Sequence, residues 1–252
     1  MRRWLAEVRS SRTLAHVVPL AAFLLLLIPR DLIAVENSLL PWWRQAPEHW
    51  LYPLQSILCL CILAFFWRRY QFRPFRGFGW ALVLGALTIA VWILPSLAYG
   101  WLDIDEPEGA TWWRWIGVAA RRDGFDPTLF DGHPAPYYAS TVFLRFVRMV
   151  VVVPLVEEIF WRGFLMRYLV DTDRPFWKIP FGTYAFRAVA ITTGVFMLAH
   201  APVDWLGALV FGLAMAWLAI RTKSLAACVL MHAFANLLLG LYVMATGSWG
   251  FW

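Results

Sequence analysis

Two neighbouring carboxylates, Glu157 and Glu158, lie inside the apolar stretch MVVVVPLVEEIFWRGFL, residues 149–165. An ionisable side chain at the centre of a bilayer costs about 2.5–3.5 kcal/mol on insertion scales and more in simulations, so such residues are rare and tend to be functional. Three further polar groups occupy apolar runs. His200 closes the run FMLAH, and His232 and Asn236 bracket HAFAN. Residues four apart share a helix face, so His232 and Asn236 point the same way, as do Glu158 and Arg162. Glu157 is turned about 100° from Glu158. One carboxylate can therefore be neutralised by Arg162 while the other faces the middle of a bundle.

These residue types suit hydrolysis of an amide bond. A desolvated carboxylate is a stronger base than one in water, and beside a histidine it can activate a water for attack on a peptide carbonyl. The oxyanion that forms needs preorganised donors, for which the Asn236 amide and a ring N–H of His232 are suitable. Along a helix, Glu157 lies about 12 Å from the end near residue 165, His232 about 13 Å in from Lys223, and His200 about 15–20 Å in. One layer within the membrane can hold them all. Other protease chemistries lack their signatures: there is no GxSxG and no HExxH, no cysteine beside the histidine motifs, and no pair of intramembrane aspartates. A zinc ion on Glu157, His200 and His232 is also chemically possible.

The elements that must position these groups are membrane helices. The chain is 61% hydrophobic and only 15% charged, with a mean hydropathy of +0.61, whereas soluble domains are nearer half apolar and a quarter charged. Apolar runs at 14–33, 51–67, 79–98, 141–165, 185–200, 205–220 and 225–244 predict an all-α polytopic bundle of about seven spans. Spanning takes about 20 residues, so the fifth and sixth runs are short. An eighth element is expected only if 111–120 is interfacial or re-entrant. The first run follows a basic N-terminus as a signal peptide would, but no small-x-small site follows it, and an uncleaved first helix is expected. Seventeen tryptophans suit interfacial belts. Cys59, Cys61 and Cys228 all fall in apolar runs and form no CxxC.

Charge sets the orientation. Arg2, Arg3, Arg9, Arg12, Arg68, Arg69, Arg73, Arg76, Arg167, Arg174, Lys178, Arg187, Arg221 and Lys223 fall in alternate connections, against Arg30, Arg44, Arg114, Arg121 and Arg122 in the others. The positive-inside rule then makes the N-terminus cytoplasmic and the C-terminus external. The net charge of +6 comes in short blocks, which anchor a membrane face rather than bind nucleic acid. Arg145 and Arg148, at the outer end of the fourth run, are expected to snorkel to headgroups. The connection 99–138 holds Asp103, Asp105, Glu106, Glu108, Asp123, Asp126 and Asp131 and reads as an irregular outer loop, with His133 solvated.

Taken together and in this order, EEIFWR at 157–162, FMLAH at 196–200 and HAFAN at 232–236 resemble the EExxxR, FxxxH and HxxxN/B motifs of the CAAX prenyl endopeptidase and bacteriocin-processing family, also called CPBP or ABI. The resemblance covers roughly 148–241. It implies a metal-free, glutamate-type intramembrane endopeptidase without cofactor, whose cavity is open to lipid and cytosol. Glu157 and His200 would activate the water, His232 and Asn236 would hold the oxyanion, and Glu158 and Arg162 would support them. The substrate would be a lipidated or membrane-associated protein, in eukaryotic relatives a prenylated C-terminal CaaX protein. The expected division is 1–140, accessory helices with the acidic loop, and 141–252, a catalytic core, in a multi-pass protein of the cell (inner) membrane. Two non-enzymatic readings compete: a transporter, since intramembrane Glu, His and Arg also mark ion paths, and an immunity protein or scaffold. Transporters usually carry repeats and broken helices, and no repeat is visible.

Overall fold

The computed structural model describes residues 2–35, 40–102, 112–121, 124–130 and 134–252. Among them there is helix and turn but no strand. In chain order the helices are α1 (Arg2–Ser10), α2 (Arg12–Leu25), α3 (Ile28–Ile33), α4 (Trp42–Gln45), α5 (Glu48–Phe66), α6 (Phe78–Trp101), α7 (Ala135–Val147), α8 (Val153–Phe160), α9 (Met166–Tyr168), α10 (Phe186–Leu198), α11 (Trp205–Thr222) and α12 (Leu225–Thr246). Among the described residues, six stretches are long and apolar enough to cross a membrane: Arg12–Arg30, Glu48–Arg69, Phe78–Trp101, Ala135–Tyr168, Pro202–Thr222 and Leu225–Thr246. The polytopic all-α expectation therefore holds.

Its details change in two places. The fifth expected span, α10, has only 13 residues, or about 20 Å against a hydrocarbon core of about 30 Å. The sixth reaches full length because Pro202–Asp204 adds a 3-10 turn in front of α11. The described part of 111–120 is one 3-10 turn, Trp112–Ile116, too short to span. Of the outer acidic connection, Asp103, Asp105, Glu106, Glu108, Asp123, Asp131 and His133 lie outside the described residues. Asp126 caps the turn after it, accepting from the Thr128 amide at 2.9 Å.

The stretch Ala135–Tyr168 contains two π turns, Arg148–Val152 and Trp161–Leu165. Pro154 accounts for the first. It has no N–H to give to the preceding turn, and the Val153 N–H bonds to Arg148 O, five residues back. Such π turns inside α-helices are frequent at functional sites.

The chain forms two compact units, one of Met1–Gln71 with Phe125–Phe160, the other of Phe72–Gly124 with Trp161–Trp252. In the first, α2 packs on α5 and α8, and α5 on α7. Ser11 separates α1 from α2 and caps α2 by accepting the Leu14 amide at 3.2 Å. Tyr70 donates to Ala15 O at 3.0 Å, and burial pushes its phenol well above the usual range, so it stays a donor. Gln55, 1% exposed, donates to Phe23 O at 2.6 Å and accepts from Arg148 Nε at 2.8 Å.

Snorkelling of Arg145 and Arg148 is not what occurs. Each is 8% exposed. The Arg148 guanidinium lies 4.1 Å from the Tyr52 ring centre and 4.8 Å from that of Phe23, and Arg145 lies 5.0 Å from that of Phe125. Aromatic faces and one amide solvate these cations inside the protein, so the side chains need not reach headgroups.

In the second unit α6 runs against α12 and α11, and α10 pairs with α11. α6 comes close to α12 at Gly85, where an added Cβ would sit 3.0 Å from Met231 O and 3.2 Å from the Phe234 ring. Small residues let membrane helices pack backbone to backbone in this way. Ser224 caps α12 by accepting the Ala227 amide at 3.1 Å, and Gly247 closes it in the left-handed region.

Candidate functional site

Both carboxylates of the first motif sit on α8. Glu158 is 0% exposed while Glu157 is only half-buried. This split matches their rotation about the helix: Val156, Glu158 and Ile159 are enclosed, whereas Glu157 keeps an open side. Arg148, on the same stretch of helix, lies within Coulombic range of Glu157.

The remaining motif residues belong to the second unit and gather round two stacked phenyl rings. Phe196 and Phe211 lie 5.8 Å apart at 17°. Phe196, 1% exposed, carries the Arg162 guanidinium on one side, 5.0 Å from its centroid, and Trp161 edge-on at 5.8 Å. His200 lies against Phe196 at 4.6 Å, and His232 meets Phe211 edge-on at 5.1 Å. One pair of rings thus touches Arg162 and both imidazoles. The π turn that holds Arg162 also packs on α12. His232 is 6% exposed, and Asn236 follows one turn later on the same regular helix, half-buried.

His200 is not the last residue of a helix, as the run 185–200 suggests. α10 stops at Leu198 and His200 sits in the bend after it. Its Nδ1 lies 2.8 Å from Phe196 O. A carbonyl oxygen can only accept, so Nδ1 carries the proton, and in the neutral ring Nε2 holds the lone pair. That tautomer can take a proton or bind a cation through Nε2. Among the described residues no group of three or more His, Cys, Asp and Glu is gathered so as to hold a metal ion.

Two further residues sit at this bend, and the sequence reading passed over both. Asp204 Oδ1 accepts from Trp92 Nε1 at 2.8 Å and pairs with Arg121 Nη2 at 2.7 Å. The Trp92 ring in turn meets His200 edge-on at 5.6 Å. A signal for Asp204 did exist: it is the one Asp, Glu, Lys or Arg between Arg187 and Arg221. Nothing in the sequence marks Arg121 as its partner.

Apolar spans with Glu, Arg, His and Asn inside them define an integral membrane protein of the polytopic helical class. Residues 139–238 match the type II CAAX prenyl endopeptidase Rce1-like family, and this stretch is an Rce1-like domain. The match takes in a hundred of the 252 residues and includes Glu157, Glu158, Arg162, His200, His232 and Asn236. The match bears out the resemblance read from the three motifs, and the stretch it covers is similar to CAAX-type intramembrane proteases in general. No curated protein and no solved structure matches the chain.

Proposed function

We propose that this protein is an intramembrane endopeptidase that cleaves a peptide bond of a lipidated or membrane-associated protein near the membrane face. The observation that carries the reading is that one Rce1-like stretch, 139–238, holds all three motifs, with the His200 ring in the tautomer that leaves Nε2 able to accept a proton. Residues 141–252 are the catalytic core in this reading, and 1–140 the accessory part. The basic connections make the N-terminus cytoplasmic in this reading.

Water is the nucleophile. Glu157 and His200 take its proton as the oxygen bonds to the scissile carbonyl carbon. The carbonyl oxygen becomes an oxyanion, which His232 and Asn236 hold by hydrogen bonds. Collapse breaks the C–N bond, and the proton taken from water passes to the leaving amine. Glu158 and Arg162 hold the helix and its charge balance.

The test is cleavage of a fluorescent lipidated CaaX-type peptide, beside a panel of membrane-anchored peptides, by purified protein with and without a chelator. Cleavage that survives chelation and is lost in Glu157→Ala and His200→Ala, with insertion intact, supports the reading. Loss on chelation moves the chemistry to a metal ion. Substrate-dependent proton flux with no cleavage of any peptide overturns it in favour of a carrier.

A further inference from the structure

The bend that carries His200 raises a problem of its own. α10 runs only about 20 Å before it stops, so residues 199–201 are irregular backbone between it and the Pro202–Asp204 turn that leads into α11. Irregular backbone at membrane depth persists only where protein or a cavity satisfies its polar groups. Here the backbone N–H groups of His200 and Asp204 bond to Met197 O and Ala201 O, and side chains serve the carbonyls. Trp205 Nε1 donates to His200 O at 3.1 Å, and Arg121 Nη2 donates to Val203 O at 3.3 Å. Asp204 then draws two donors onto one oxygen, Trp92 Nε1 from α6 and Arg121 Nη2 from the segment after the Trp112–Ile116 turn.

Each donor is itself held. The Arg121 side chain is 7% exposed, donates through Nε to Ser96 Oγ at 2.9 Å, and lies 4.2 Å from the Phe251 ring centre. The Trp92 indole is wedged on α11, where a Cβ at Gly207 would stand 2.7 Å from its Cδ2. The opposite edge of this network is the His200 ring, in contact with Trp92. The network is charge-neutral, largely enclosed, and joins the imidazole to a connection 79 residues earlier in the chain.

We propose that Asp204 is a positioning residue: clamped by Arg121 and Trp92, it fixes the 199–204 bend and so the direction of the His200 imidazole. The connection preceding the core domain thereby becomes part of the site apparatus, because Arg121 lies outside the matched stretch 139–238. The catalytic meaning of the clamp rests on the reading of His200 given above; the clamp itself does not.

The experiment pairs two readouts on full-length protein in lipid nanodiscs: cleavage kinetics with the fluorescent lipidated peptide, and 15N spectra of histidine-labelled protein, the His200 signal being the one missing in His200→Gln. In Asp204→Ala and Trp92→Phe the His200 signal moves or broadens, losing its single Nδ1-protonated pattern, while that of His232 stays. In the same variants kcat falls by about 100-fold with KM unchanged. Asp204→Asn, which keeps an oxygen for Trp92, loses less, and it stands in if the alanine variant does not fold. Arg121→Met together with Asp204→Asn loses no more than the worse single variant. An unchanged His200 signal in folded Asp204→Asn and Trp92→Phe overturns the proposal. A shifted signal in protein whose His200→Gln variant still cleaves keeps the clamp and overturns the catalytic reading instead.

Discussion

His200 donates its Nδ1–H to the carbonyl oxygen of Phe196, 2.8 Å away and one turn earlier in the chain. The last carbonyls of a helix have no partner within it, and the imidazole takes one of those of α10. The same bond fixes the tautomer. His200→Gln should lower kcat/KM by about 10²–10⁴-fold, the usual contribution of an acid–base group, while thermal unfolding followed by intrinsic fluorescence shows a folded protein. Phe196→Ala should cost about 3–5 kcal/mol through the cavity it leaves. Activity and unfolding temperature would then fall together, unlike in His200→Gln.

Glu157 and Glu158 should separate cleanly. Glu158 is fully enclosed and Glu157 half-open. Removing Glu158 leaves the groups it satisfies without it, a loss of about 1–3 kcal/mol, so Glu158→Ala should lower both stability and yield. Glu157→Ala should leave the unfolding temperature near that of the unaltered chain and remove cleavage. A Glu157→Ala protein that unfolds much earlier than Glu158→Ala would reverse these roles.

Gly85 controls how closely α6 approaches the turn of α12 that leads into His232 and Asn236. A Cβ there would sit 3.0 Å from Met231 O, and overpacking of this kind costs about 1–3 kcal/mol. Gly85→Val should depress both unfolding temperature and kcat. Gly79→Ala, where a Cβ meets nothing within 4 Å, is the control and should leave both unchanged or slightly raise stability.

Gln55 joins the carbonyl of Phe23 to the guanidinium of Arg148. Gln55→Leu keeps the bulk and strips both hydrogen bonds from buried groups, at about 1–3 kcal/mol for each group left unsatisfied. The expected result is an earlier unfolding transition, with cleavage per folded molecule kept. Unaltered stability would mean that the Arg148 cation is held chiefly by the Tyr52 and Phe23 rings.

Much of the architecture was legible before any coordinates. The run 79–98 became Phe78–Trp101, and 225–244 became Leu225–Thr246, because membrane insertion sums hydropathy over neighbours in sequence. The residues of the three motifs were legible for a related reason: a Glu, His or Asn in such a run stands out against its own neighbours. Harder to read was Arg145, whose guanidinium looked like a headgroup anchor. Whether a cation near a helix end reaches water or an aromatic face depends on Tyr52, on α5, and on Phe125, in the segment before the Pro127–Phe130 turn. The π turns were hidden too, apart from the hint that Pro154 gives for the first, since residue type alone does not show which carbonyl a backbone N–H will reach.

The sequence by itself determined that this chain is a membrane helix bundle and which polar side chains lie within its apolar runs, since hydropathy and residue type are local properties. Only the tertiary structure decided what surrounds them. It set the Phe196–Phe211 stack between the two imidazoles, the tautomer of His200, and the pairing of Asp204 with Arg121. Such contacts depend on how separate helices pack, and a hydrogen bond between groups far apart in the chain leaves no periodic trace in either segment.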